Sequence, residues 1–182
     1  MIMENSTTKL VQANDISKII KRISHEIIES DLDFSNLALV GIKSRGDFIA
    51  NRIANEISKN SNHDYCLGTI DVTFHRDDYR TNLGSPEIGV SDIKFDVNEK
   101  DIILIDDVLY TGRTIRAAMD EIFSYGRPNS IRLAVLVDRG HRELPIKADF
   151  VGKNFPTANN EHIHVHIEEI DKEDLIYLEK DS

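Results

Sequence analysis

The chain has 182 residues, 40% hydrophobic and 30% charged, which suits one globular domain with a full core. A net charge of −10 argues against nonspecific, charge-driven nucleic-acid binding, and apolar runs no longer than IILI or LAVLV exclude a membrane-spanning helix. With one cysteine (Cys66) and the polar opening MIMENSTTKL, neither a disulfide framework nor a signal peptide is legible, and a reducing cytoplasm is the expected home.

In chain order, Ile16, Ile19, Ile20, Ile23, Ile27 and Ile28 recur at helical spacing and predict a helix over 14–29, with Asn14 as its N-cap. LALVGI at 37–42 is a short apolar run that predicts a buried strand. After KSRG a second helix is expected to turn Phe48, Ile49, Ile53 and Ile57 inward, and CLGTIDVTF at 66–74 is strand-like in its branched and aromatic residues. From about 75 to 98 the chain is polar and weakly patterned, and a connection that long in a compact domain is functional or disordered. A strand at 101–105, a helix at 113–125, a strand at 131–137, a loop through RGHRELP and short strands near 148–152 and 162–167 follow. This alternation predicts an α/β fold of βαβ units, a mostly parallel sheet with helices on both faces, and a single domain over 1–182. Residues 161–182 carry eight acids against Lys172 and Lys180, a net of −6, and read as a solvated surface or loose end. A local basic face elsewhere stays open.

The chemistry concentrates in DIILIDDVLYTGRT at 101–114. Ligands of open α/β sheets sit beyond the carboxyl ends of strands, where Asp106 and Asp107 fall. Two adjacent carboxylates repel one another, yet they can accept hydrogen bonds from a cis-diol or share a hydrated magnesium ion. Thr111, Gly112, Arg113 and Thr114 add hydroxyls, backbone N–H groups and a helix N-terminus, which together cradle a phosphate. Sugar-diol acids just before a phosphate turn describe a ribose 5-phosphate site. Lys43-Ser44-Arg45-Gly46, between a strand and a helix, supports a second anion. His162, His164 and His166 alternate on one strand face, which reads as the polar face of an edge strand rather than a metal site. Cys66 reads as a small buried hydrophobe.

DDVLYTGRT resembles the phosphoribosyl pyrophosphate (PRPP) motif of type I phosphoribosyltransferases, and the resemblance spans nearly the whole chain. LVGIKSRG, GTIDVTFHRDD and VLVDRGHRELPI bring it nearest to members that combine uracil phosphoribosyltransferase activity with attenuation of pyrimidine operons. The resemblance implies a small hood built from the chain ends and a mobile loop over about 75–98, with Arg76, Asp77 and Asp78 its active contributors. It implies that Asp106 and Asp107 hold the ribose hydroxyls, with Arg76 as a further catalytic group. Thr111 to Thr114 would hold the 5-phosphate, Lys43, Ser44, Arg45 and Gly46 the pyrophosphate, and Val108, Leu109 and Tyr110 would complete the PRPP site. Uracil is expected near Val137, Asp138, Arg139 and Ile163. Purine members usually carry an aspartate where this chain has Tyr110, a departure that favours a six-membered base. Mg2+ would act without a dedicated cage, held mainly by substrate and water.

The same resemblance implies UMP- or UTP-responsive binding of a leader messenger RNA, with Lys21, Arg22, His25, His141, Arg142, Lys147 and Lys153 as contacts, and a homodimer or higher assembly. No membrane partner is expected. Lys21 stands where a threonine is expected in the family. The helix around Lys21 is charge-neutral and residues 138–153 are only +1, so any RNA face depends on grouping basic side chains together. Two rivals stay open: a nucleotide- and RNA-binding regulator without turnover, and a transferase for another base.

Overall fold

The computed structural model describes residues 6–61, 65–72 and 90–181; the expectations for Arg76, Asp77 and Asp78 lie outside these. The elements are β1 (Ser6–Gln12), α1 (Ala13–Ile28), β2 (Leu37–Ile42), α2 (Gly46–Asn60), β3 (Cys66–Ile70), β4 (Asp101–Leu109), α3 (Arg113–Tyr125), β5 (Ser130–Asp138), β6 (Phe150–Asn154), β7 (Glu161–His166), α4 (Glu168–Asp171) and β8 (Leu175–Lys180). A short 3-10 turn at Phe34–Asn36 leads into β2.

Five parallel strands form the central sheet in the order β3-β2-β4-β5-β6. All six residues of β2 are buried, as a strand with neighbours on both edges and helices on both faces requires. On one face α1 and α2 pack through Ile16, Ile19, Ile23 and Ile27 and through Ile49, Ile53 and Ile57. On the other, α3 buries Ile115, Ala118 and Ile122. Among the described residues, no helix is long and apolar enough to cross a membrane.

The second sheet is antiparallel, in the order β1-β8-β7, and joins the two ends of the chain into a hood. Its Val11, Ile163, Val165 and Ile176 are continuous with the core beneath α1 and α2. Thus the hood rests on the sheet through the same apolar body that holds the helices. This is the architecture that the resemblance implied, hood included.

Three expectations need correction. The residue preceding α1 is Gln12, without a side-chain cap, and Asn14 lies inside the helix. β4 does not stop at residue 105 but runs to Leu109, so both aspartates lie within a paired strand. The acidic end is neither loose nor only solvated: it forms α4 and β8, and Leu175 and Ile176 are buried.

Candidate active site

β4 stays in register with β5 through Leu109 opposite Asp138, which carries Asp106 and Asp107 into the interior. They are 3% and 7% exposed. Each folds back on the following peptide: Asp106 Oδ1 accepts the Asp107 N–H (3.0 Å), and Asp107 Oδ1 accepts the Val108 N–H (2.8 Å). These local bonds fix the carboxylates at the end of the sheet. The chain then turns sharply at Gly112, whose φ of +93° lies in the left-handed region that glycine tolerates best. Thr111 Oγ1 accepts the Arg113 N–H (3.3 Å), and α3 begins there, so the first backbone amides of the helix lie at the turn.

The loop after β5 is stitched to this turn. Arg139 N–H donates to the Leu109 carbonyl (3.1 Å), and the Glu143 and Leu144 N–H groups both donate to the Thr111 carbonyl (3.0 and 3.2 Å). Arg142 braces the same loop: its guanidinium donates to the carbonyls of Tyr110 (2.7 Å), Gly140 (3.1 Å) and Ile146 (3.0 Å) and pairs with Asp138. DDVLYTGRT and VDRGHREL are therefore joined into one unit, although the bonded residues lie about thirty positions apart in the chain.

Arg139 is 5% exposed, and its guanidinium lies 4.1 Å from the centre of the Tyr110 ring, within cation–π range. Its Nε donates to Thr157 Oγ1 (3.1 Å) and its Nη2 to the Glu161 carbonyl, tying the loop to the start of β7. Burial pushes the Arg139 pKa below its ordinary value, with Tyr110 and Glu161 opposing that shift.

Across from the turn, β7 presents residues 162–166, and the two walls enclose an open cavity of about 500 Å3. Arg45, residues 106–112, Thr114, Ile115 and Arg139 complete its lining. Of the expected PRPP and uracil residues, this brings together Arg45, Asp106, Asp107, Val108, Leu109, Tyr110, Thr111, Gly112, Thr114, Arg139 and Ile163. Others are placed differently. Val137 is wholly buried in the core, and Asp138 is engaged by Arg142 and by the Gly140 N–H (3.0 Å). Arg113 pairs with Glu143 on the outer side of the turn.

The Lys43–Ser44 peptide bond is cis. Lys43 Nζ donates to the Val90 carbonyl (2.8 Å). Gly46 packs against β4, and a Cβ there would stand 2.4 Å from the Ile105 carbonyl oxygen. This close approach sets turn 43–46 directly beside Asp106.

The three histidines share one face of β7, each beside a different carboxylate: His162 with Asp181 (3.0 Å), His164 with Glu179 (2.9 Å) and His166 with Glu173 (3.1 Å). The His164–Glu179 approach lacks hydrogen-bond alignment, and the imidazole instead stacks on Tyr177 at 4.9 Å. Among the described residues no His, Cys, Asp and Glu side chains group as a metal cage.

The basic positions expected to meet RNA fall into separate groups. Lys21, Arg22 and His25 are exposed on α1, and Arg22 also donates to the Val151 carbonyl of β6 (3.0 Å). Lys153 is exposed on β6; strand alternation gives it the face of Val151, opposite to that of Gly152, which abuts Ile19 of α1. Lys147 is exposed in the loop before β6, and His141 Nε2 donates to the Thr157 carbonyl (2.6 Å). Arg142 is partly exposed, and its donors also brace the loop. Two contacts went unforeseen: Arg142 joins neighbours within its own loop to the carbonyls of Leu109 and Tyr110, and Arg45 pairs with Asp171, a partner far along the chain.

The phosphoribosyl transferase domain family matches residues 6–170. Proteins named Bifunctional protein PyrR match over almost their full length: that of Latilactobacillus sakei is 51% identical over 174 residues, covering 94% of this chain and 97% of the relative. The chain belongs to the phosphoribosyl transferase domain family, in its PyrR branch. The PyrR protein of Bacillus subtilis is 45% identical over 176 residues, covering 96% of this chain and 97% of its own. Fold-level likeness extends further. A hypoxanthine phosphoribosyltransferase of Staphylococcus aureus superposes with a TM-score of 0.68 at 23% identity, over 93% of this chain and 90% of that one. The Trypanosoma cruzi enzyme gives 0.69 at 17% identity, over 96% and 97%.

Proposed function

We propose that the cavity binds PRPP and uracil and joins them into UMP with release of pyrophosphate. The observation that carries this is the knitting of the aspartates, the phosphate turn and the Tyr110–Arg139 pair into one wall opposite β7. In this reading Asp106 and Asp107 accept hydrogen bonds from the ribose hydroxyls. Residues 111–114 and the first amides of α3 hold the 5-phosphate. Arg45 and turn 43–46 receive the pyrophosphate.

As the bond to pyrophosphate breaks, positive charge develops on the ribose. The buried carboxylates of Asp106 and Asp107 lie where they can stabilise it, and a uracil nitrogen attacks the anomeric carbon. Tyr110, Arg139 and the backbone around Ile163 bound the base; at Val137 only backbone could contact it. Two carboxylates at the cavity edge suit a hydrated Mg2+ shared with substrate oxygens, which would supply charge neutralisation for the departing pyrophosphate.

Labelled uracil, PRPP and Mg2+ incubated with folded protein should yield UMP and pyrophosphate in equal amounts. Absence of conversion would leave the reading of a regulator without turnover.

The second activity is a uridine-nucleotide-responsive attenuator that binds leader RNA of pyrimidine genes. It is supported by membership of the PyrR branch and by the exposed Lys21, Arg22 and His25 cluster on α1. A homodimer or higher assembly and a cytoplasmic site of action belong to the same reading. Titrating leader RNA with and without UMP tests it; affinity at the nonspecific level in both would remove it.

A further inference from the structure

Two arginines, Arg45 just before α2 and Arg52 within it, tie the hood's acidic segment to the core. Arg45, at the start of the helix, donates Nε to Asp171 Oδ2 (3.0 Å) and Nη2 to Asp171 Oδ1 (2.8 Å), a side-on fork. Arg52, further along the helix, donates Nε to Glu169 Oε1 (2.9 Å) and Nη2 to Asp174 Oδ1 (2.9 Å). The carboxylate facing Arg45 is itself fixed, because Asp171 Oδ2 also accepts the Ile167 N–H (2.8 Å). Of the two arginines, only Arg45 contributes to the cavity lining.

The Arg45 and Asp171 side chains are 26% and 14% exposed, so the pair is partly withdrawn from solvent and less screened than a surface pair. A free arginine side chain has many rotamers, and ordering it when a ligand binds opposes that binding. A bidentate fork to a fixed carboxylate removes that freedom beforehand and sets the plane of the guanidinium.

We propose that Asp171 is a positioning residue for PRPP: it holds the Arg45 guanidinium at the pyrophosphate end of the cavity, so that a hood residue sets the affinity for a substrate it does not touch. This rests on the assignment of Arg45 to pyrophosphate. Arg52 is the internal control, joined to the same acidic segment by similar chemistry but outside the cavity.

The test measures kcat and the KM values for PRPP and uracil in wild type, Asp171→Asn, Arg45→Ala, the double variant and Arg52→Ala. Asparagine keeps an oxygen for the Ile167 N–H while abolishing the charge. Asp171→Asn should raise the PRPP KM about tenfold, with kcat and the uracil KM changing less than about twofold. In the Arg45→Ala background the Asp171 change should add nothing. Arg52→Ala should lower the melting temperature without moving the PRPP KM. The inference is overturned if Arg45→Ala raises the PRPP KM but Asp171→Asn does not, or if Asp171→Asn acts equally with and without Arg45. A PRPP KM indifferent to Arg45→Ala would instead overturn the pyrophosphate assignment, and this inference with it. Should the Asn variant not fold, Asp171→Glu replaces it: a raised PRPP KM supports the inference, and a wild-type value overturns it.

Discussion

Asp107 is nearly buried, and its Oδ1 is occupied by the Val108 N–H, a bond that asparagine can also accept. Asp107→Asn should therefore leave unfolding free energy within about 0.5 kcal/mol of wild type while lowering turnover on the order of a hundredfold. Denaturant unfolding and initial rates check the two halves; unchanged turnover would mean the ribose role is misassigned. Arg142 shows where residue-level reading of the sequence falls short. As one basic residue in RGHRELP it suggests an RNA contact; its donors also reach four backbone carbonyls and Asp138, a bracing role that local pattern does not announce. Arg142→Ala removes the charged donor from Asp138 and those carbonyls, and should cost about 2–4 kcal/mol of stability. It should also lower uracil turnover, because the loop that carries Arg139 loses its brace. Wild-type unfolding and kinetics in that variant would contradict the structural role.

The central strands and main helices were legible because each has a single apolar period and a single place to bury it, as with LALVGI in β2 and the isoleucines of α1. β1 and β8 were not. STTKLVQ and LIYLEK are short and mixed, and the hydrophobics they bury, Val11, Leu175 and Ile176, find partners only when the two chain ends meet. The end of β4 was misplaced because charged residues rarely continue a buried strand; here Asp106 and Asp107 do so by bonding the next peptide. At this scale the contact between α2 and β4 is decisive. Gly46→Ala would set a Cβ 2.4 Å from the Ile105 carbonyl oxygen, so helix and strand must separate. The expected result is a loss of about 1–3 kcal/mol together with a raised PRPP KM, since turn 43–46 moves away from Asp106. Thermal melts and PRPP kinetics would show both; a neutral substitution would contradict that packing.

Over the whole molecule, the eight acids of residues 161–182 first read as a solvated surface or a loose end. Instead Glu169, Asp171 and Asp174 latch the hood to Arg45 and Arg52, which no local pattern announces because the partners lie more than a hundred residues apart. Hydrogen bonding to Arg45 holds the Asp171 carboxyl below the usual range, and Arg52 does the same for Glu169. A depressed folded-state pKa stabilises above the unfolded value and is lost as pH falls through the folded one. The latch should thus weaken in acid, from about pH 5 downward, as these carboxylates take up protons. Denaturation midpoints of Asp171→Asn should fall less steeply over that range than those of wild type; parallel curves would deny the latch its share. The account's central claim is that one cavity between the β4–α3 turn and β7 holds the whole nucleotide. A crystal structure with UMP tests it most directly. The phosphate should lie on residues 111–114, the ribose hydroxyls on Asp106 and Asp107, and the base between the Tyr110–Arg139 pair and β7. UMP bound elsewhere, or with its phosphate away from that turn, would contradict it.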